Sequence, residues 1–286
     1  MARTIGSVAT LSDQRRKAAI AAWRLPVDGS IVFIYALVLL VGVGAGLYSE
    51  RFRDPANLMN VLRQTIVLGL LAMGQSVVIL AGGIDMSVAL IARVSTLIVA
   101  VLFGGNDALI VPLIGLGLVI GGALGLLNGL IITRVYASPF IVTFGMFSIL
   151  SGISLAISSS PVGKIPPAYL TLYDASVGPL PISVLVMAGL WAGAWLLTTR
   201  TRFGRQLFAV GGSQRVARLA AIRVSRTLVG AYALSGLCAA AGGLFILART
   251  GVGDPKMAEG LDFQSIVAVA LGGISLSGGR GSMLGT

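Results

Sequence analysis

Eight apolar runs limit what this chain can fold into more than any other feature. They lie at about 30–49, 58–81, 86–103, 108–132, 139–157, 182–198 and 228–248, with an eighth beginning near Ser265. The first seven are each near the ~17–25 residues that cross ~30 Å of hydrocarbon at 1.5 Å per residue. In lipid a backbone must satisfy its own hydrogen bonds, so such runs are helices, some of them broken where they line a cavity. The sequence therefore predicts an all-α, polytopic membrane protein.

Composition agrees. Of the 286 residues, 56% are hydrophobic and 11% charged, against about a quarter charged in soluble domains, and the surplus apolar surface must face lipid. The 39 glycines and 10 prolines are spread through the apolar runs, where glycine lets helices approach closely or break. The net charge of +11 comes largely from two segments, the N-terminus and 200–226. That is how membrane proteins distribute cations, so no nucleic-acid partner is expected. Cys238 is the sole cysteine and there is no histidine, which removes the commonest metal ligand and general base. No metal site, catalytic residue or cofactor is expected. The basic stretch Arg15, Arg16, Lys17 and Arg24 precedes a run too long for a signal-peptide core, so the first span is expected to be retained.

The cations also predict orientation. With the N-terminus in the cytosol, thirteen fall inside: Arg3, Arg15, Arg16, Lys17, Arg24, Arg134, Arg200, Arg202, Arg205, Arg215, Arg218, Arg223 and Arg226. Six fall outside: Arg51, Arg53, Arg63, Lys164, Arg249 and Lys256. The bias sets residues 1–29 as a cytoplasmic segment and 30–286 as the membrane domain. The proline-rich outside loop, 158–181, is expected to hold at most a short interfacial element. The inside loop, 199–227, carries seven arginines, a predicted Gly-Gly turn at Gly211-Gly212 and a helical stretch after it.

Polar residues inside the apolar runs are the candidates for function. A lone mid-membrane carboxylate costs about 2.5–3.5 kcal/mol on insertion scales. Asp85, with Ser87 beside it, is therefore either part of a polar pathway or a cap that accepts N–H bonds from 87–88 and starts the next helix. Asn128 and Thr143 equally suit a hydrophilic path or interhelical hydrogen bonding. Arg93, eight residues after Asp85, is too far along the helix for a direct bond, and snorkelling toward the inner face is the simpler expectation. Residues 81–87 (AGGIDMS) and 271–277 (LGGISLS) resemble each other, a hint of a duplicated unit.

Four stretches carry a wider resemblance. AGGIDMSV (81–88), LNGLIITR with SPFIVTFG (127–134 and 138–145), TRFGR with AVGG (201–205 and 209–212) and LGGISLSGGRGS (271–282) occur in one order along the chain. Together they resemble the permease subunits of ribose-, xylose- and arabinose-type sugar ABC importers. After the first motif this chain departs from the resembled pattern of small residues, with Leu90 and Arg93 following.

The resemblance implies a bacterial inner-membrane subunit of about ten spans, roughly eight of them present in a chain that would be C-terminally short. It implies a translocation pathway for a monosaccharide. It also implies a coupling helix in the 199–227 loop that docks on the ATPase. Phe203, Leu207 and Phe208 would be its apolar anchors, Arg202, Arg205, Arg215 and Arg218 its rim charges, and Gly204, Gly211 and Gly212 its motif glycines. Otherwise these arginines only set topology and meet anionic headgroups. The partners implied are an ATP-binding cassette ATPase, a periplasmic sugar-binding protein and a second permease copy, identical or different. No G-x-x-x-x-G-K-[ST] motif occurs in the sequence, so ATP hydrolysis would belong to a separate subunit. The rival readings are a non-transporting shortened paralogue, an ion-coupled secondary transporter, which calls for paired intramembrane charges, and a membrane enzyme, which lacks a catalytic cluster. The sugar itself is not specified by these motifs.

A cysteine placed at Arg215 should react with a membrane-impermeant maleimide only after the cells are permeabilised. One placed at Lys164 should react in intact cells. The reverse pattern would invert the orientation.

Overall fold

The computed structural model of the protein describes residues 29–178 and 180–286. The predicted cytoplasmic segment 1–29, with its basic cluster, lies outside these residues except for Gly29. Helix α1 spans Gly29–Tyr48; the chain divides after Gly44, and α1 is described by itself.

The rest of the chain forms α2 (Glu50–Arg53), α3 (Pro55–Leu80), α4 (Val88–Phe103), α5 (Ile110–Val135) and α6 (Pro139–Ile157). These are followed by α7 (Pro167–Asp174), α8 (Ile182–Arg200), α9 (Arg202–Gly212), α10 (Gln214–Leu219), α11 (Val224–Thr250) and α12 (Leu261–Leu271). Local chemistry sets the boundaries. Asp54 Oδ1 accepts from Ala56 N at 3.0 Å ahead of Pro55 at the first position of α3, and proline there forfeits no hydrogen bond. Gly104 in the left-handed region closes α4.

Each predicted apolar run coincides with a helix. Among the described residues, five helical stretches are long and apolar enough to cross a membrane: Pro55–Leu80, Asp107–Val135, Pro139–Ile157, Ile182–Arg200 and Val224–Thr250. Helix α4 has only 16 residues and α12 only 11. A short α4 is tolerated because it hardly meets lipid: it is sheathed by α3, α5, α6 and α11, with most of its residues buried.

Helices α3 and α11 form the inner pair, while α5, α6 and α8 make an outer ring. The ring presents Val111, Val119, Ile141, Ile149 and Val186 outward, as a lipid-facing surface requires. The tightest seam joins α5 to α11. A Cβ on Gly125 would overlap the Tyr232 carbonyl oxygen, and one on Gly121 the carbonyl of Gly236. Small residues let the two backbones touch, and in lipid such packing replaces the hydrophobic effect between helices.

Successive loops alternate between two ends. At one end Gly105 N donates to Lys164 O at 2.7 Å, Val162 and Gly253 exchange two backbone bonds of 2.8 Å, and Arg63 lies 3.9 Å from Asp174. At the other, Gly279 N donates to Leu80 O at 3.0 Å, and Phe203 packs beside Gly230. The 158–181 loop holds α7 and a hairpin of two-residue strands, Ser176–Val177 and Leu180–Pro181, in keeping with the short element expected there. The Gly-Gly turn is corrected: Gly211 and Gly212 are the last residues of α9, and the chain redirects at Ser213, whose Oγ accepts from Val216 N at 3.3 Å to start α10.

Gly125→Ala should destabilise the protein by about 1–3 kcal/mol through overpacking, read as a lowered thermal midpoint in detergent. Gly145→Ala, where a Cβ meets nothing within 4 Å, should leave the midpoint unchanged.

Candidate functional site

The break between α3 and α4 is the polar centre of the molecule. Helix α3 ends with Ala81 in a helical cap and Gly82 at φ 83°; Gly82 N returns to Ile79 O at 2.8 Å and Gly83 N to Val78 O at 3.0 Å. This is a glycine-dependent helix terminus, in which a left-handed residue lets its own N–H and the next one close back on the last turn. The chain then crosses residues 83–87 inside the bundle, where water cannot satisfy its backbone.

Side chains from four helices do so instead. Asp85 Oδ1 accepts from Ser87 N at 3.0 Å and from Ser87 Oγ at 2.6 Å, and Oδ2 accepts from Ser235 Oγ of α11 at 3.0 Å. Asn128 Nδ2 of α5 donates to Ser87 Oγ at 2.8 Å. Thr143 Oγ1 of α6 accepts from Met86 N at 3.1 Å. Tyr232 OH of α11 donates to Ile84 O at 3.3 Å. The Gln75 amide of α3, oriented by its neighbours, donates to Asp85 O at 3.1 Å and accepts from Asp85 N at 3.2 Å. Asp85, Ser87, Asn128 and Thr143 are thus brought together as a single knot, all at 0% exposure.

Of the two readings of Asp85, the capping geometry is present in part. It accepts the Ser87 N–H, but Ser87 occupies the cap position of α4. Asn128 Oδ1 is buried with no hydrogen-bond partner. Within the break Gly82 is exposed and Ile84 half-buried, while the residues on either side of Ile84 are buried.

Three of the glycine-rich stretches meet beneath this knot. A Cβ on Gly211 would overlap the Leu80 carbonyl oxygen and lie 2.5 Å from Gly279 N, while one on Gly278 would lie 2.7 Å from Gly82 Cα. The C-terminus of α9, the end of α3 and the turn after α12 are therefore in backbone contact, and Gly278 and Gly279, at φ 83° and 70°, shape that turn. The resemblance of 81–87 to 271–277 has a structural counterpart. Gly273 N bonds Ala270 O and Ile274 N bonds Val269 O, the closure seen at Gly82 and Gly83, displaced by one residue from the sequence match. It is the terminus that a glycine-ended helix forms.

Helix α9 begins where Thr201 Oγ1 accepts from Gly204 N at 3.1 Å, and a Cβ on Gly204 would overlap the Thr198 carbonyl oxygen. It is amphipathic, but its apolar side belongs to the bundle. Leu207 is fully buried, and Phe203 and Phe208 are half-buried against the same core. Leu207, expected as an anchor, has no exposed surface in this structure. Arg202, Arg205, Arg215, Arg218 and Gly212 are exposed. The exposed large apolar residues of this loop are Val216, 62% exposed, and Leu219, 84% exposed. Sequence reasoning missed this pair, although its i, i+3 spacing among arginines was a usable signal. It also missed Gln75 and Ser235, polar residues in apolar runs, the first reaching Asp85 from the preceding helix and the second from a distant segment.

Arg93 does not snorkel toward the arginine-rich end. Its Nε donates to Met257 O at 2.9 Å, in the segment that joins α11 to α12 from the opposite end. No direct contact with Asp85 forms, as the spacing predicted. Among the described residues, no group of His, Cys, Asp and Glu gathers to hold a metal ion.

A lipid-embedded bundle whose central helix is broken, with the break satisfied from inside, defines a polytopic α-helical membrane transport protein. Residues 57–286 match the family described as the branched-chain amino acid transport system permease component, and the chain belongs to that family. It is 35% identical over 263 residues to the ribose import permease of Bacillus subtilis, covering 90% of this chain and 80% of that protein. It is 32% identical to the D-allose transport system permease of Escherichia coli, covering 86% and 76%. It is also 32% identical to the fructose import permease of Rhizobium meliloti, covering 90% and 73%. No solved structure matches the chain.

Asp85→Ala strands the buried hydroxyls of Ser87 and Ser235 and should cost roughly 2–4 kcal/mol, seen as a fall in the thermal midpoint. Asp85→Asn retains an acceptor for Ser87 and a donor for Ser235 and should recover most of that loss. Equal midpoints for the two variants would contradict a stabilising role for the knot.

Proposed function

We propose that this chain is the membrane-spanning permease subunit of a bacterial sugar importer. It forms a pathway for a monosaccharide that is powered by ATP hydrolysis in a separate subunit docked at the 199–227 loop. The relatives named for ribose, allose and fructose import support the substrate class. The observation that carries the mechanism is the glycine junction. It puts α9, which presents arginines outward, in backbone contact with the end of the broken helix. A displacement of α9 by a partner would be transmitted through Gly211 to Leu80 and Gly82 without an intervening flexible side chain. Packed interfaces of this kind pass on rigid-body movement because they do not deform continuously.

In this reading the N-terminus and the arginine loop face the cytosol, where the nucleotide-hydrolysing partner resides. Val216 and Leu219 are the apolar anchors for that partner, with Arg202, Arg205, Arg215 and Arg218 around them. Asp85, Ser87, Asn128 and Thr143 hold the broken helix in shape beside the pathway, and the backbone at 82–84 is the element that the solute passes. A soluble binding protein delivers sugar at the opposite end, and a second permease copy completes the pathway. A neutral sugar needs few fixed charges along its path, and the apolar character of the spans suits it.

The test is reconstitution of the chain with its ATPase and binding protein in proteoliposomes. ATP-dependent uptake of a labelled monosaccharide is expected. Leu219→Asp should cut uptake about tenfold or more, the loss of a single interface hot spot, while the protein remains folded and membrane-inserted. Uptake that persists without ATP, or is untouched by Leu219→Asp, would count against this arrangement.

A further inference from the structure

Arg93 is a charged side chain in the first half of the most enclosed helix of the bundle, and the knot at the break makes no use of it. It is half-buried, and a single bond, Nε to Met257 O, fixes its plane. Its two Nη nitrogens have no hydrogen-bond partner, and no carboxylate stands at ion-pair distance, among the described residues. An arginine brought into an apolar bundle at a cost, then held by one edge with its donor fork free, is an arrangement with donors to offer.

Arg93 borders a cavity of about 550 Å³, within the ~300–1,000 Å³ typical of small-molecule sites. Its walls include Phe147 and Ser151 of α6, and Glu259, Asp262 and Phe263 around the start of α12. The charged residues of its wall are Arg93 and Lys256 on one side and Glu259 and Asp262 on the other. With these charges balanced, an anion gains no net attraction to offset the cost of its desolvation, and a neutral ligand pays no such cost. Free guanidinium donors facing carboxylate acceptors match the alternating donor and acceptor character of adjacent hydroxyl groups. The two phenylalanine rings offer apolar faces to the C–H side of a pyranose or furanose. The cavity lies between the arginine-poor end and the break at 81–87, since its far wall is the 255–263 segment and its near wall is α4.

We infer that this cavity is a monosaccharide-binding site in the permease itself, with Arg93 as the hydroxyl-recognising residue. The inference rests on the sugar-import reading above and adds to it a way-station within the membrane subunit. Discrimination among sugars would then be exercised here as well as before entry.

The experiment is equilibrium dialysis of tritiated D-ribose, D-allose and D-fructose against the full chain in lipid nanodiscs, with D-gluconate as an anionic comparison. Saturable binding of at least one of the three sugars is expected. Arg93→Ala should weaken it tenfold or more. Arg93→Lys keeps the charge but not the planar fork and should also weaken it several-fold. Ser151→Trp fills the cavity from α6 without altering Arg93 and should abolish binding even if the arginine variants fold poorly. Absence of saturable sugar binding to the unaltered chain, equal affinity in folded Arg93→Lys and Ser151→Trp, or gluconate binding as tightly as the sugars would overturn the site. ATP-driven uptake by the reconstituted complex is read in parallel. Uptake without binding at Arg93 removes the site and leaves the transport reading, whereas binding without uptake does the reverse.

Discussion

The need to satisfy backbone polar groups away from water governs this molecule, and it bears hardest on residues 81–87. A helix interrupted inside an apolar bundle leaves N–H and C=O groups that lipid cannot accept. Here they are met by Gln75, Thr143 and Tyr232, while Asp85 and Ser87 are tied to Asn128 and Ser235. Because these partners come from α3, α5, α6 and α11, the break fixes the mutual positions of those helices. The glycine seam between α5 and α11 brings Asn128, Tyr232 and Ser235 close enough to contribute.

In the proposed mechanism the break is the receiver of force. Below it, three backbone segments touch at Leu80–Gly82, Gly211 and Gly278–Gly279, with no side chain between them to absorb a movement. Helix α9 presents its apolar face to the bundle and its arginines to the exterior. It is therefore built into the core on one side and free for a partner on the other. In the proposed mechanism charge at that loop serves docking and rigidity at the junction serves coupling, and one short helix carries both.

Much of the architecture was legible from the chain because its cause is local. The length and apolarity of each run follow from the thickness of hydrocarbon, and the helices begin and end close to the expected positions. Asp85, Ser87, Asn128 and Thr143 stood out as polar residues in apolar runs, and the structure gathers them. The roles within the 199–227 loop were less legible. Phe203, Leu207 and Phe208 are apolar residues on an arginine-rich helix, and their composition does not say whether they face the bundle or a partner. Leu207 proved fully buried, and Val216 and Leu219 are the exposed pair. Helix α4, expected over 86–103, starts slightly later at Val88, and a helix enclosed by protein is released from the span length that lipid imposes.

The sequence by itself determined that the chain is a bundle of lipid-length helices, which of its loops concentrate positive charge, and where a helix must break. These follow from hydrophobicity, charge and glycine, each of which acts within a few residues. Tertiary structure alone decided that the three glycine motifs form one junction, that Gln75 and Ser235 complete the knot, and that Arg93 faces the 254–263 segment and not the arginine-rich end. Most of those facts depend on contacts between residues far apart in the chain, 150 positions for Ser235 with Asp85 and 164 for Arg93 with Met257, and a linear pattern carries no record of which distant backbone a given side chain will meet.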